Sequence, residues 1–251
     1  ILYREEHSKR RRIRAKITAY FPETEALSHV LSDLQQEYPE AEYDLEHLLL
    51  KYRTFHKEDL SLDKRLSLLI KAAAELTTQE ASRWEFIAAR FLLFQFHLEL
   101  DKRIAALELK TFYDKLIYLE GQKLYGSYII EAYSREEIQE LTAYIKPERD
   151  QLFNYSGLDL VINRYVIRNH AGEVLESPQE MFMGIALHLA MKETTDQLEW
   201  VRRFYDMLST LKVTMATPTL SNARRPYHQL SSCFIDTVPD SLNGIYRSID
   251  N

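Results

Sequence analysis

The chain has 251 residues and little of what marks secreted, membrane or nucleic-acid-binding proteins. Its single cysteine, Cys233, cannot form a disulfide within the chain, so a reducing cytoplasm is the expected compartment. No run approaches the roughly 18 apolar residues of a membrane span, and residues after the start do not follow the pattern of a signal peptide. The net charge of −6 argues against a general nucleic-acid binder, which needs an excess of Lys and Arg.

One local exception to the acidic balance is the basic run at 9–14 (KRRRIR). Such a run can bind phosphate or nucleic acid, but it is more often the solvated face of a helix near a frayed end. We favour the second interpretation.

Glycine and proline are scarce, at 6 and 7 residues, which favours helix over most of the chain. Apolar residues recur at three- and four-residue spacing over 44–53 and 62–76, which predicts two amphipathic helices. A third helix is predicted over 82–100, where the apolar face is broad enough to indicate deep burial in a helical bundle.

Three later helices have recognisable capping residues at their starts. Serine followed three residues later by glutamate satisfies two orphan amides, and proline suits the first helical position. The starts are Ser134 with Glu137, Ser177 with Pro178 and Glu180, and Asp196, and the helices should reach about Ile145, Lys192 and Leu211.

Between these helices, 164–168 (RYVIR) predicts a β-strand, 169–172 (NHAG) a turn and 173–176 a returning strand, which together form a hairpin near 164–176. After Leu211 the pattern changes again. We predict a short strand at 213–215, a polar loop at 216–222 that excludes helix, a strand within 229–235, and a final helix over 242–249 capped by Asp240 or Ser241.

The last forty residues hold the candidate chemistry. Hydroxyls and an amide lie at 217–222, two hydroxyls and the thiol lie within 229–233, and a carboxylate precedes a helix start at Asp240. Each feature has a plainer explanation, because a lone cysteine is most often inert core, serines are common in strands and turns, and Asp240 could simply be a helix cap. On residue chemistry alone, the sequence predicts a small-molecule pocket and no particular reaction.

A resemblance goes further. The strings at 216–222 (ATPTLSN), 229–233 (QLSSC) and 240–242 (DSL) occur in the order and spacing typical of the class I ribonucleotide reductase large subunit. Shorter strings upstream are also similar: IKAAA at 70–74, AAR at 88–90, YD at 113–114, FNY at 153–155, ESPQ at 176–179 and RFYD at 203–206. The resemblance covers roughly 45–251, and the first forty or so residues do not match.

The resemblance implies roles for individual residues. Cys233 matches one of two thiols that reduce the ribose 2′ position and become a disulfide, while Thr217 and Ser232 match substrate-contacting residues. Its partner thiol, the thiyl-radical cysteine and an assisting acidic residue are absent here, so several hundred further residues with at least two more cysteines are expected. This span is therefore expected to be inactive alone.

The resemblance also implies ligands and partners. Asp240, Ser241 and Leu242 match a site for nucleoside triphosphate effectors at a homodimer interface. A metal-containing small subunit would supply the radical, and a thioredoxin or glutaredoxin type of protein would regenerate the thiols. No metal site or bound cofactor is expected in this span.

The pattern predicts a mainly α fold, and the resemblance implies that it leads into the first strands of a ten-stranded α/β barrel that is incomplete here. We divide it into a helical region at 1–100, a helical domain with the hairpin at 101–212, and the barrel start at 213–251. The first region resembles the helical part of an ATP cone, but the glycine-containing strand that usually opens a cone is missing, and Leu62 stands where a threonine is usual. We therefore expect that any cone here is degenerate or does not bind ATP in the ordinary way.

The leading hypothesis is an enzyme that reduces ribonucleoside diphosphates to their 2′-deoxy forms. One alternative is a non-catalytic regulatory module of the same fold that only binds nucleotides. The other is a helical interaction protein in which Cys233 fills the core and the Thr-Pro-Thr string is a chance loop.

Overall fold

The computed structural model describes residues 2–235 and 237–250, with side chains from Glu6 onward. Within these residues the regular structure is helical, and β pairing is limited to an isolated antiparallel bridge between Arg168 and Val174. The predominance of helix is thus confirmed. The α-helices are α1 Leu2–Thr18, α2 Leu27–Glu37, α3 Leu45–Phe55, α4 Leu62–Ala74, α5 Trp84–Ala106, α6 Phe112–Gly121, α7 Ser127–Ala132, α8 Arg135–Tyr144, α9 Tyr155–Leu160, α10 Pro178–Ala190, α11 Gln197–Ser209, α12 Thr217–Asn222 and α13 Leu242–Asp250.

The helix starts follow from local chemistry where the capping signals are strong. Ser134 and Ser177 each accept a hydrogen bond from the backbone amide three residues on, and the glutamates there return the bond, so both predicted capping boxes are confirmed. Asp196 is different. It precedes α11 as predicted, but its backbone is left-handed with φ 51°, and its side chain makes no capping bond, because a capping side chain needs an extended backbone.

Two hydrophobic cores are built along the chain, and α5 contributes to both. Trp84, Ile87 and Phe91 of α5 belong to the first core with α1–α4, whereas Phe96 and Leu100 belong to the second core with the later helices. This explains the broad apolar face of α5, since different turns of one long helix are buried against different partners. The division into domains at 1–100, 101–212 and 213–251 stays a prediction.

The basic run at 9–14 lies on α1 and is only partly the solvated face that we favoured. Arg10 donates to the backbone carbonyls of Gln35 and Pro39, and Lys9 lies 2.9 Å from an Asp44 carboxylate oxygen. These contacts attach α1 to the following helices, so these basic side chains have structural partners.

The predicted hairpin at 164–176 is largely wrong. Residues Val161–Tyr165 form a π-helical turn that continues α9, and their buried members Val161, Ile162 and Tyr165 have helical rather than alternating spacing. The turn at 169–172 is confirmed, with Gly172 at φ 82°. Of the two strands, only the bridge at Arg168 and Val174 remains.

The strands predicted at 213–215 and 229–235 are not formed in the described part of the chain, where these segments lack a ladder partner. The loop predicted at 216–222 is also wrong, because this segment forms α12. Pro218 lies in the first turn of that helix, where its missing amide costs no helical hydrogen bond, and the amides of Thr219 and Leu220 donate to the Ala216 carbonyl. The barrel itself is not shown.

The final helix, predicted for 242–249, is confirmed as α13. Ser241 is the residue whose hydroxyl accepts a hydrogen bond from the Gly244 amide, at 3.0 Å. None of the described helices is both long and apolar enough to cross a membrane.

Candidate functional site

The candidate site begins at the first turn of α12. Thr217 is exposed there, and its hydroxyl lies 3.5 Å from the phenol oxygen of the buried Tyr165. Both residues line an open, mostly apolar cavity of about 320 Å³, together with Phe153, Gly157, Leu160, Val161, Met181, Phe182, Leu208, Leu211, Val213, Thr214, Met215 and Leu220. Thr217 therefore lies at a polar point on the rim of an apolar pocket.

Two hydrogen bonds attach the segment before Cys233 to α12. The Thr219 hydroxyl donates to the Leu230 carbonyl at 3.4 Å, and the Asn222 side-chain amide donates to the Gln229 carbonyl at 2.9 Å. The structure thus brings two of the three predicted polar strings, 217–222 and 229–230, against each other.

Cys233 is free and exposed, with its Sγ 3.7 Å from the Ser232 hydroxyl. A solvent-accessible thiol can exchange with a second thiol, which a buried one cannot. The interpretation of this cysteine as a buried core residue is therefore wrong.

The third predicted string is at the start of α13. Asp240, Ser241 and Leu242 are all exposed, and Leu242 is 76% accessible. Among the described residues no hydrogen bond connects them to α12 or to Cys233, so they form a separate candidate surface.

A buried ion pair lies beside α12, and it was not predicted from the sequence. Arg224 and Glu176 are 0% and 1% exposed. Arg224 donates from Nε to Glu176 Oε1 at 2.8 Å and from Nη2 to Oε2 at 2.6 Å, which is a bidentate geometry. Burial alone would lower the pKa of Arg224, but the attraction of Glu176 and its hydrogen bonds outweigh that effect and raise it.

Neighbouring residues donate further hydrogen bonds to this pair. Glu176 also accepts from the Tyr125 hydroxyl at 2.7 Å and from the Ile167 amide at 3.0 Å. Burial, and then the charge of Glu176, raise the pKa of Tyr125 well above its usual value, so the phenol remains a donor.

The sequence carries one signal for this pair. Gly184 lies in the middle of α10, where a Cβ atom would stand 2.4 Å from the Tyr125 phenol oxygen and 2.8 Å from Arg224 Cδ. A glycine in an otherwise apolar helix therefore marks the close approach of two other side chains.

A second buried group, Asp150, contacts the first turn of α10. Its Oδ1 accepts from the Gln179 amide at 2.8 Å, and Gln179 in turn accepts from the Tyr205 hydroxyl at 2.7 Å. The other oxygen, Oδ2, has no hydrogen-bond partner and is 3.9 Å from His97 Nε2. Burial raises the pKa of Asp150 to about 7 and lowers that of His97, so the two do not form a stable ion pair near neutral pH.

A third cluster fastens the segment after α12. The Tyr128 hydroxyl is 2.9 Å from the carbonyl oxygens of both Ala223 and Arg225, and 3.1 Å from His188 Nδ1. Burial, and then the neighbouring His228, lower the pKa of His188 to about 4, so its ring is neutral at physiological pH.

Comparison with known proteins identifies the family. A family described as "Ribonucleotide reductase, all-alpha domain" matches residues 151–228, the span that contains α9–α12 and the Glu176–Arg224 pair. The chain is also 55% identical over 251 residues to the ribonucleoside-diphosphate reductase subunit alpha of Treponema pallidum (strain Nichols), an alignment that covers 100% of this chain and 30% of that protein.

The chain belongs to the class I ribonucleotide reductase large-subunit family.

Other members are more distant. The subunit alpha of Helicobacter pylori (strain ATCC 700392 / 26695) is 32% identical over 192 residues, covering 76% of this chain and 24% of that protein. The ribonucleoside-diphosphate reductase 1 subunit alpha of Escherichia coli (strain K12) is 32% identical over 179 residues, covering 70% of this chain and 23% of that protein. The chain therefore spans less than a third of the length of these curated relatives and corresponds to an amino-terminal portion of the large subunit.

Family membership removes the interpretation of the chain as an unrelated helical interaction protein. The resemblance inferred from the strings at 216–222 and 229–233 is confirmed at the level of the family. In the described residues no group of three or more His, Cys, Asp or Glu side chains is arranged to hold a metal ion.

Proposed function

We propose that the protein is part of a ribonucleoside-diphosphate reductase, in which Cys233 is one of the two thiols that reduce the ribose. The observation that carries this proposal is an exposed cysteine on a segment that is hydrogen-bonded, through Gln229 and Leu230, to the helix bearing Thr217. The names of the relatives support the diphosphate as the substrate.

The reduction needs two electrons, and a pair of thiols can supply them. The C2′–OH bond breaks and the oxygen leaves as water. C2′ gains a hydrogen, and the two sulfurs lose their hydrogens and form a disulfide. Cys233 is the only cysteine of the 251 residues, so the second thiol and the thiyl radical that activates the 3′ position would come from the rest of the subunit.

The residues around Cys233 would hold the substrate. Thr217 is exposed at the first turn of a helix, and Ser232 places a hydroxyl beside the sulfur. Both are short donors and acceptors suited to the hydroxyls and phosphates of a nucleotide. A thioredoxin or glutaredoxin type of protein would reduce the disulfide after each turnover.

The other proposed contacts lie at α13. Asp240, Ser241 and Leu242 would bind a nucleoside triphosphate effector at a homodimer interface, and their exposure makes them accessible to such a ligand. A separate metal-containing small subunit would generate the radical. That the region at 1–100 does not bind ATP in the ordinary way stays a prediction from the sequence.

The experiment is the change Cys233→Ser in the complete large subunit, assayed with its small subunit and a dithiol reductant. The swap alters one exposed atom, so stability should stay within about 0.5 kcal/mol, while reduction of CDP should be lost. The matched control is Ser231→Ala, which removes a neighbouring exposed hydroxyl with no proposed role and should leave turnover intact.

The same assay, run on the wild-type subunit, separates the regulatory alternative. A non-catalytic module would bind nucleotides but would show no reductase turnover in the wild-type subunit. Persistence of full turnover in Cys233→Ser would instead show that this sulfur does not carry the electrons.

A further inference from the structure

We propose that Arg224, held by Glu176, is a positioning residue that fixes Thr217 and α12 against the helical domain. The inference rests on the proposed function, since it assumes that Thr217 contacts the ribonucleotide. It concerns a residue that does not itself reach the site, because Arg224 is 0% exposed.

The first step is the anchor. Glu176 precedes α10, and its two carboxylate oxygens accept four hydrogen bonds, from Arg224, Tyr125 and the Ile167 amide. Four donors around one buried carboxylate leave it little freedom to turn. The orientation of the Arg224 guanidinium is therefore set by the helical domain.

The second step is the connection to α12. Arg224 Nη1 donates to the Leu220 carbonyl at 2.7 Å, and Nη2 donates to the Tyr165 carbonyl at 2.7 Å. The Leu220 carbonyl is near the end of α12, where helical carbonyls lack partners within the helix. One guanidinium thus connects Glu176, α12 and the backbone of Tyr165.

The third step reaches the candidate site. The phenol oxygen of the same Tyr165 lies 3.5 Å from the Thr217 hydroxyl, at the opposite end of α12 from Leu220. Arg224 therefore holds one end of the short helix directly and the neighbour of its other end through the Tyr165 backbone. A six-residue helix has few internal hydrogen bonds, so these outside contacts decide where Thr217 lies.

The chemistry explains why this residue is arginine. The three nitrogens of the planar guanidinium have different acceptors: Nε and Nη2 donate to the Glu176 carboxylate, Nη1 donates to the Leu220 carbonyl, and Nη2 also donates to the Tyr165 carbonyl. A lysine ammonium keeps the charge but cannot reach the carboxylate and two separate carbonyls from the same position. Arg224→Lys should consequently preserve the ion pair and loosen α12.

The test is a double-mutant cycle in the complete large subunit with its small subunit, using CDP reduction under a dithiol reductant. Thr217→Val and Arg224→Lys should each raise the KM for CDP about 10-fold, the effect of losing one substrate hydrogen bond. If Arg224 acts through Thr217, the double variant should also show about a 10-fold increase, with kcat changed less than KM.

A matched control separates positioning from general loosening. Arg149→Lys alters a different arginine, which is partly buried, pairs with Asp206 and makes no described hydrogen bond to α12 or Tyr165. It should leave the KM for CDP within about twofold. A KM increase equal to that of Arg224→Lys would overturn the proposal.

The remaining outcomes are also decisive. An increase of about 100-fold in the double variant would mean independent effects, so Arg224 would not act through Thr217, although the reductase assignment would stand. An unchanged KM in Thr217→Val would remove the proposed substrate contact and the inference with it. Should Arg224→Lys fail to fold, Tyr165→Phe keeps the ion pair, and the same cycle with Thr217→Val must again be non-additive.

Discussion

Asp150 makes stability depend on pH in a direction that a single variant can expose. In Asp150→Asn the Oδ1 acceptor for Gln179 is kept, and an uncharged amide replaces the oxygen that has no partner. Asparagine does not titrate, so the variant removes the cost of ionising a buried carboxyl. We expect it to be more stable than wild type at pH 8.

The magnitude follows from the pKa. Burial raises the pKa of Asp150 from 3.8 to about 7 in the folded protein. A raised carboxyl pKa means that the unfolded chain releases the proton first, so this contribution is complete below 3.8 and is lost as the pH rises to about 7. Two pH units separate pH 5 from pH 7, and the slope is at most about 1.36 kcal/mol per unit and falls as the folded carboxyl ionises near pH 7. The wild type should therefore lose about 2 kcal/mol relative to the variant over this range.

The assay is urea unfolding of wild type and variant at pH 5, 6, 7 and 8. The difference in free energy of unfolding should grow between pH 5 and 7 and then level off. Asp101→Asn, an exposed aspartate on the same helix as His97, should change stability by less than about 0.5 kcal/mol at every pH. A difference between wild type and Asp150→Asn that is the same at pH 5 and pH 8 would show that the carboxyl is already ionised at pH 5, and would refute the reasoning.

Two further predictions concern the neighbours of α10. Gly184→Ala should lower the free energy of unfolding by about 1–3 kcal/mol, because its Cβ would collide with Tyr125 and Arg224. The control Gly121→Ala has open space around it and should not destabilise the protein. Thermal unfolding compares the two variants, and equal effects would contradict the close approach at Gly184. The pKa of His188 is lowered to about 4, so its contribution to the free energy of unfolding is complete above pH 6.5 and is lost as the pH falls towards 4. Relative to His188→Asn, the wild type should lose about 3 kcal/mol over that range in urea unfolding. A difference that stays constant with pH would mean that the ring is not buried in its neutral form.

The sequence predicted those elements whose determinants lie within a few residues of one another. Ser134 and Ser177 begin helices because their partners are three residues away, and Leu62–Ala74 forms a helix because its spacing alone defines a buried face. Strands at 213–215 and 229–235 could not be settled in this way, since a strand exists only beside a partner. Pro218 was taken to exclude helix, although in the first turn it favours one.

The candidate site was predicted unevenly for the same reason. Its exposed members Thr217 and Cys233 were found from the strings that contain them, and the structure brings the neighbourhoods of both together at α12. Its buried support was missed, because Glu176 and Arg224 are 48 positions apart and neither has a local pattern that indicates burial. A single sequence gives an arginine a strong prior for the surface, and only the fold shows the exception.

The 23-residue α5 has a mechanical consequence for any shortened form of the protein. At 1.5 Å per residue it extends about 35 Å, and its first turns are buried by helices that precede it while its later turns are buried by helices that follow. Removing everything before Trp84 would expose the apolar side chains of Trp84, Ile87 and Phe91 to water. The helix that carries them would still be present, because its later turns form part of the second core. A protein truncated at that point should therefore self-associate through the exposed apolar surface, even though every residue of the candidate site is retained.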